Sequence, residues 1–322
     1  EFRRVLFRSK NMNKLKKIGL TALAASLVST SVFAGTMDVS GSAALYFTGG
    51  DKNVRGNGWS MNDSITFSGG GEMDNGWNVT ATFLLDNSDG TGAQIFDNRS
   101  IAIDMAEAGT LEFWGQSGDS VVTATDDKLP NMYEEAWYGA GSPNTGAATA
   151  NMFYYSNAAI VDGLNVMASY TPSGTAEVQS STEFGATYSG VDGLTIGYAT
   201  GTDGGAGATS EVDNRNMWAT YAYGSVTVGY QENEADGPAA ANDIDFEAFG
   251  ISYAVSDNIS IAYNQSESKV ASDAVAQEAS GISASYTAGG MTIAGVMNDV
   301  DNVSGVAATD VEGYELNLSF AF

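Results

Sequence analysis

The 322-residue chain has no cysteine, no histidine and only four prolines. Without cysteine there is no disulfide framework and no thiolate metal site. Without histidine the Ser-His-Asp and Cys-His nucleophile systems are excluded, together with the commonest transition-metal ligand. Positive charge is scarce, with 13 Lys and Arg against 39 Asp and Glu. The apolar run from Ile18 to Val28 is too short and wrongly flanked for a spanning helix.

That short run belongs to a leader. Met12–Lys17 is basic, Ile18–Val28 is apolar, and Val32-Phe33-Ala34 fits the small-residue cleavage rule. The expected secretory signal peptide is therefore 12–34, with the mature chain starting at Gly35; an N-terminal anchor helix is the alternative. Residues 1–11 precede that Met and are read as a cloning or sequencing remnant with no meaning for the fold. Seven of the 13 basic residues and one of the 39 acids fall in 1–34, leaving six against 38, a net of −32. Such a surface repels nucleic acid, which needs clustered Lys and Arg, and attracts cations.

What is present from Gly35 onward is alternation. Val39, Gly41, Ala43, Leu45 and Phe47 share one face of a first strand, and Ser40, Ser42, Ala44 and Tyr46 the other. Fifteen further segments follow, centred near residues 66, 81, 103, 112, 154, 167, 186, 196, 219, 228, 251, 261, 284, 294 and 317. The connections alternate between short turns such as Asp162-Gly163 and Asp192-Gly193 and longer polar stretches. Among the latter are Gly201–Asp213 and Glu232–Asp243, so Asp203, Glu211, Asp213, Glu232, Glu234, Asp236, Asp243 and Asp245 are expected in long external loops, where they would suit loosely bound Ca²⁺ or Mg²⁺.

Tyrosine placement separates a membrane barrel from a soluble sheet. Tyr170, Tyr198, Tyr230 and Tyr263 end the apolar face just before long loops; Tyr188, Tyr221, Tyr253 and Tyr286 end it just before short turns. In antiparallel strands these form two rings, as residues with one apolar and one wet end do at membrane boundaries. The opposite face is Ser, Thr, Asn, Gly, Ala and Gln throughout, as a wet lumen would be. The expected fold is all-β, a transmembrane up-and-down antiparallel β-barrel of about 16 strands over 35–322.

One connection, Ser117 to Thr149, far exceeds the usual dozen or so residues. Folded into the lumen, it would narrow the pore. Its Asp119, Asp126, Asp127, Glu134 and Glu135 would concentrate cations there.

Together with this topology, the leader, the long third loop and the terminal Phe322 resemble the Gram-negative general (trimeric) porins. Leu129-Pro130-Asn131-Met132-Tyr133-Glu134-Glu135 is similar to that family's constriction segment, and Val161-Asp162-Gly163-Leu164-Asn165 to the turn between its sixth and seventh strands. Asn98-Arg99 is similar to the position of a wall arginine, which makes Arg99 the wall basic candidate; its shared parity with Ile101 and Ile103 leaves a second placement open, above the lipid band rather than in the lumen. The resemblance implies a homotrimer in the outer membrane, among lipid and lipopolysaccharide, passing small hydrophilic solutes and cations. It also implies that Phe322 is read by the outer-membrane assembly machinery. No cofactor, metal or catalytic group is expected, and no nucleic acid. Two alternatives stand beside it: a substrate-specific channel, for which Tyr46 and Tyr155 are lumenal candidates, and a plugged structural or adhesive barrel.

Overall fold

The computed structural model describes residues 35, 37–50, 58–86, 96–138, 150–174, 178–204 and 210–322; the expected leader and residues 1–11 lie outside them. Each alternating segment forms a strand. In chain order they are β1 (Met37–Gly50), β2 (Gly58–Glu72), β3 (Asn78–Asp86), β4 (Asn98–Asp104), β5 (Thr110–Gln116), β6 (Met152–Val161), β7 (Leu164–Thr171) and β8 (Ser181–Val191). There follow β9 (Leu194–Asp203), β10 (Val212–Tyr223), β11 (Val226–Asp236), β12 (Ile244–Ala254), β13 (Ile259–Val270), β14 (Gln277–Ala288), β15 (Met291–Asp301) and β16 (Val311–Ala321). Every strand pairs antiparallel with its sequence neighbours, and β16 returns to β1, so the sheet closes. The closing register runs from Ser42 opposite Ala321 to Gly50 opposite Gly313. Closure leaves no backbone edge to be desolvated by lipid.

The two rims differ as expected. Connections at one rim are 73–77, 105–109, 162–163, 192–193, 224–225, 255–258 and 289–290, none longer than five residues. Gly163, Gly193, Gly224 and Gly289 take positive φ in the two-residue turns, where any other residue would be strained. The opposite rim carries the longer connections, including 117–151.

Outward positions are apolar and inward ones polar or small. Ile251, Ile261, Ile282 and Leu316 project outward, whereas Gln231, Asn264, Ser283 and Asn317 are buried on the inner side. All eight girdle tyrosines project from the outer surface, each more than a third exposed.

One expectation about the long loops needs correcting. Asp203, Asp213, Glu232, Glu234, Asp236 and Asp245 lie in strands, since β9 to β12 extend well past the tyrosine ring at the long-loop rim; Glu211 and Asp243 do lie in connections. Above the lipid band an outward side chain need not be apolar, so hydrophobic alternation stops while the hydrogen-bond ladder goes on. The extension sets outward carboxylates side by side: Glu232 opposite Glu247, Glu247 opposite Glu267, Glu267 opposite Glu278 and Glu278 opposite Asp301.

Candidate functional site: the loop inside the barrel

The connection after β5 turns into the barrel and runs along the inner wall. Two kinds of wall position receive it. The first is inward glycine. A Cβ at Gly185 would stand 2.6 Å from Val121 Cγ1, one at Gly229 2.4 Å from Pro130 Cδ, and one at Gly281 3.1 Å from Ala136 Cα. Only a bare backbone lets the loop lie this close.

The second is an inward hydrogen-bonding side chain on successive strands, most often gripping the loop's backbone. On β7 and β8, Ser169 Oγ accepts from Val121 N–H at 3.1 Å and the fully buried Glu183 accepts from Val122 N–H at 2.7 Å. Asn216 on β10 donates to the Val122 carbonyl at 2.8 Å. On β11, Gln231 accepts from Lys128 N–H at 2.7 Å and donates to the Asp126 carbonyl, to which Asn233 also donates at 2.8 Å. Asn264 on β13 donates to the Pro130 carbonyl at 3.1 Å, and Ser283 on β14 bonds Asn131 and Met132. Asn298 on β15 donates to the Ala136 carbonyl at 2.7 Å and the Tyr138 carbonyl at 2.9 Å. Glu315 on β16 accepts from the Tyr133 and Tyr138 hydroxyls. A loop inside a barrel must find partners for its buried amides, and this track supplies them.

Apolar contacts fix both arms. Val121 packs with Met167 and Ala199; Leu129, Ala136 and Trp137 pack against Phe246, Ala248, Ala279 and Val300. The Trp137 and Phe246 rings meet edge to face, centroids 5.0 Å apart. Burying aromatics of this size is worth about 1.5–3 kcal/mol each, more than a single wall hydrogen bond at about 1 kcal/mol.

Because the wall mostly holds loop backbone, the acids are left to the lumen. Asp119 and Asp127 are exposed; Asp126, Glu134 and Glu135 are half-buried. Asp119, Asp126, Asp127 and Glu135 are near enough to act on one another, while Glu134 acts on Tyr133. Desolvation raises Asp126 to about 6, against the pull of Lys128. Asp127 is raised further: the residue is open to the lumen, but its carboxyl group is surrounded by the folded loop, so desolvation comes first, followed by a hydrogen bond shared with the Glu135 carboxylate.

The wall that the docked loop leaves free is β1 to β4. It presents Ser60, Asn62, Ser64 and Thr66 on β2 and Thr80 and Thr82 on β3. No basic side chain stands there. Arg99 pairs with Phe83, shares the outward face with Ile101 and lies over Gly115, so the expected wall arginine is not part of the pore wall. Arg215 is outward too, ion-paired with Glu234, and Lys269 lies opposite Asp245 on the outer face. Among the described residues Lys128, on the loop itself, is the one basic group inside. Lys52 and Arg55 lie outside the described residues.

Tyr46 faces in, close enough to act on Tyr133. Tyr154 faces in rather than Tyr155, whose hydroxyl instead donates to the Ala108 carbonyl at 2.8 Å. The docking track was not read from the sequence. Its signal was there: Asn, Gln and Gly at inward parity on consecutive strands, as in Gly229-Tyr230-Gln231 and Gly281-Ile282-Ser283.

A family model described as Gram-negative porin matches residues 19–279. A mutant of the Rh. blastica porin superposes with a TM-score of 0.69 at 17% identity, covering 89% of this chain and 100% of that chain. Another mutant of the same porin gives 0.68 at 18%, and the anion-selective porin from Comamonas acidovorans gives 0.66 at 12%, both with the same coverage. At such identities the likeness shows the fold alone. No curated protein matches the chain in sequence.

Proposed function

The chain belongs to the Gram-negative porin family, and on that premise we propose that it is a general diffusion channel of the outer membrane that prefers cations. No bond is made or broken; selection is by aperture and charge. The observation that carries the preference is the imbalance inside the barrel. Asp119, Asp126, Asp127, Glu134 and Glu135 on the loop face a wall of hydroxyls and amides with a further acid, Asp86, and among the described residues Lys128 is the one basic group inside. Carboxylates in a narrow, low-dielectric passage raise the local cation concentration and repel anions. The Comamonas neighbour is anion-selective, so the shared fold leaves the sign of selectivity to the side chains.

A homotrimer fits the outer surface. The tyrosine girdle covers β7 to β14, whereas β1 to β5 show lipid a patchwork that includes Gly41, Ala43, Asp63, Arg99 and Gly115. Charged and small residues at that depth suit contact with another subunit better than contact with acyl chains. The outward carboxylate row suits loosely held Ca²⁺ or Mg²⁺ between protein and lipopolysaccharide; among the described residues no three acids gather as a metal cage. Phe322 at the short-turn rim is the candidate contact for the assembly machinery, and its deletion should reduce the heat-modifiable oligomer recovered from outer membranes.

The deciding experiment is reconstitution in planar bilayers under a KCl gradient. A reversal potential of the sign for K⁺ permeation supports the reading. A neutral or anion-selective pore removes the cation preference, and the absence of any steady conductance removes the channel.

A further inference from the structure

We infer that Glu315 is the positioning residue of the channel: it latches the distal arm of the inner loop to the closing strand and so fixes the aperture. This deepens the diffusion-channel reading and rests on it.

Glu315 lies on β16 with its side chain inside the barrel, 5% exposed. One carboxylate oxygen accepts the hydroxyl of Tyr133 and the other that of Tyr138. A carboxylate with a phenol on each oxygen has both its acceptors occupied by charge-assisted bonds, which are stronger than neutral ones. At most other places along the track the wall holds loop backbone; here two loop side chains reach the wall. They bracket Glu134, Glu135, Ala136 and Trp137, so one acid ties down both ends of the segment that carries two of the lumenal carboxylates, beside the Asn298 and Trp137 contacts at its middle. Burial and the bond to Glu315 push the Tyr133 phenol upward, which keeps it a donor at any physiological pH.

The latch also sits last in the chain. The wall groups that grip residues 121–138 come from β7 onward, and the final one is on the strand that closes the barrel. Glu315 pairs in register with Thr48 of β1. Ser283 and Asn298 grip the arm from β14 and β15, and the last grip is added by the strand that meets β1, so the aperture is finished by the element that closes the wall.

The test uses the full-length porin in planar bilayers, with polyethylene glycols of graded size as exclusion probes. The double variant Tyr133→Phe/Tyr138→Phe keeps every lumenal charge while removing both hydrogen bonds. It should show a several-fold rise in open-channel current noise and admit larger polymers, with heat-modifiability unchanged. Adding Glu315→Ala to that pair should change noise and size cut-off no further, because the latch is already open. Glu315→Gln alone should fall between, since its carbonyl still accepts one phenol. Noise and cut-off equal to the parent in the double variant overturn the inference. So does loss of the closed barrel in both the double variant and Glu315→Ala, which would make the group a requirement of closure rather than of aperture. A parent protein with no conductance overturns the channel reading instead.

Discussion

The ring of Phe322 lies across Gly41. The two residues exchange backbone hydrogen bonds, Gly41 N–H to the Phe322 carbonyl at 2.8 Å and Phe322 N–H to the Gly41 carbonyl at 2.9 Å. A Cβ on residue 41 would stand 2.8 Å from the Phe322 ring and 2.9 Å from the Ser64 carbonyl oxygen. The seam between first and last strands is thus closed by an aromatic ring covering a backbone with no side chain of its own.

Gly41→Val should disturb this seam. Both the ring and the Ser64 carbonyl must shift, an overpacking effect of about 1–3 kcal/mol. The expected result is a lower temperature for the folded-to-unfolded gel shift, with a smaller drop for Gly41→Ala. A Gly41→Val protein that melts with the parent would show that the ring is free to lie elsewhere.

Selectivity should depend on pH in one direction. Asp126 titrates at about 6 and Asp127 above it, so lumenal negative charge grows through the neutral range. The K⁺ to Cl⁻ permeability ratio, read from reversal potentials, should climb between pH 5 and pH 9. The linkage has the opposite sign for stability. An unfolded Asp ionises near about 4, so between that pH and the folded values the docked loop binds more protons than the free one. Docking is therefore unpenalised below about 4 and weakens as pH rises through these two groups. Proteolysis of the loop should be faster at pH 9 than at pH 5.

A positive charge on the free wall should create a transverse field across the lumen. Asn62 is exposed on β2, opposite Ala44, on the lumenal face. Asn62→Arg is expected to cut the cation preference sharply and to reduce single-channel conductance. The same substitution at the outward Asp63 should leave selectivity nearly unchanged, which separates lumenal from overall charge.

The glycine seats should control how far the loop stands from the wall. Gly229→Leu puts side-chain atoms where Pro130 Cδ lies and must lift the loop, since the sheet beneath is held by its ladder. A changed conductance with an unchanged barrel melting temperature is the expected outcome. Conductance equal to the parent would mean that Pro130 moves aside without moving the acids.

Trp137→Ala should loosen the distal arm without opening the barrel. Truncating a buried aromatic costs about 3–5 kcal/mol, here drawn from loop docking because Trp137 packs against Phe246 inside the sheet. Protease cleavage near 129–138 in protein that still runs as a closed barrel would be the sign. Cleavage no faster than in the parent would place the docking energy elsewhere.

How much of this was legible in the chain follows from period. A strand with lipid on one side and water on the other must alternate, so residues such as Tyr314, Leu316, Leu318 and Phe320 by themselves determined a membrane barrel of about 16 strands and the end at which each tyrosine sits, while sheet closure fixed the count. For Arg99 the short motif and the parity pointed to opposite faces, and the strand pairing with Phe83 decided for the outer one. Two things escaped. Strand ends beyond the girdle were lost because alternation needs a hydrophobic contrast that the medium stops imposing there. The docking track was lost because Glu183, Gly229, Asn298 and Glu315 lie 61 to 182 residues from their loop partners, and inward Asn, Gln and Gly mark a wall position without saying what meets it. The acids of the loop were visible as composition; which of them meet, and what wall they face, only the closed sheet decided, because closure is what brings β5 and β16 around one lumen.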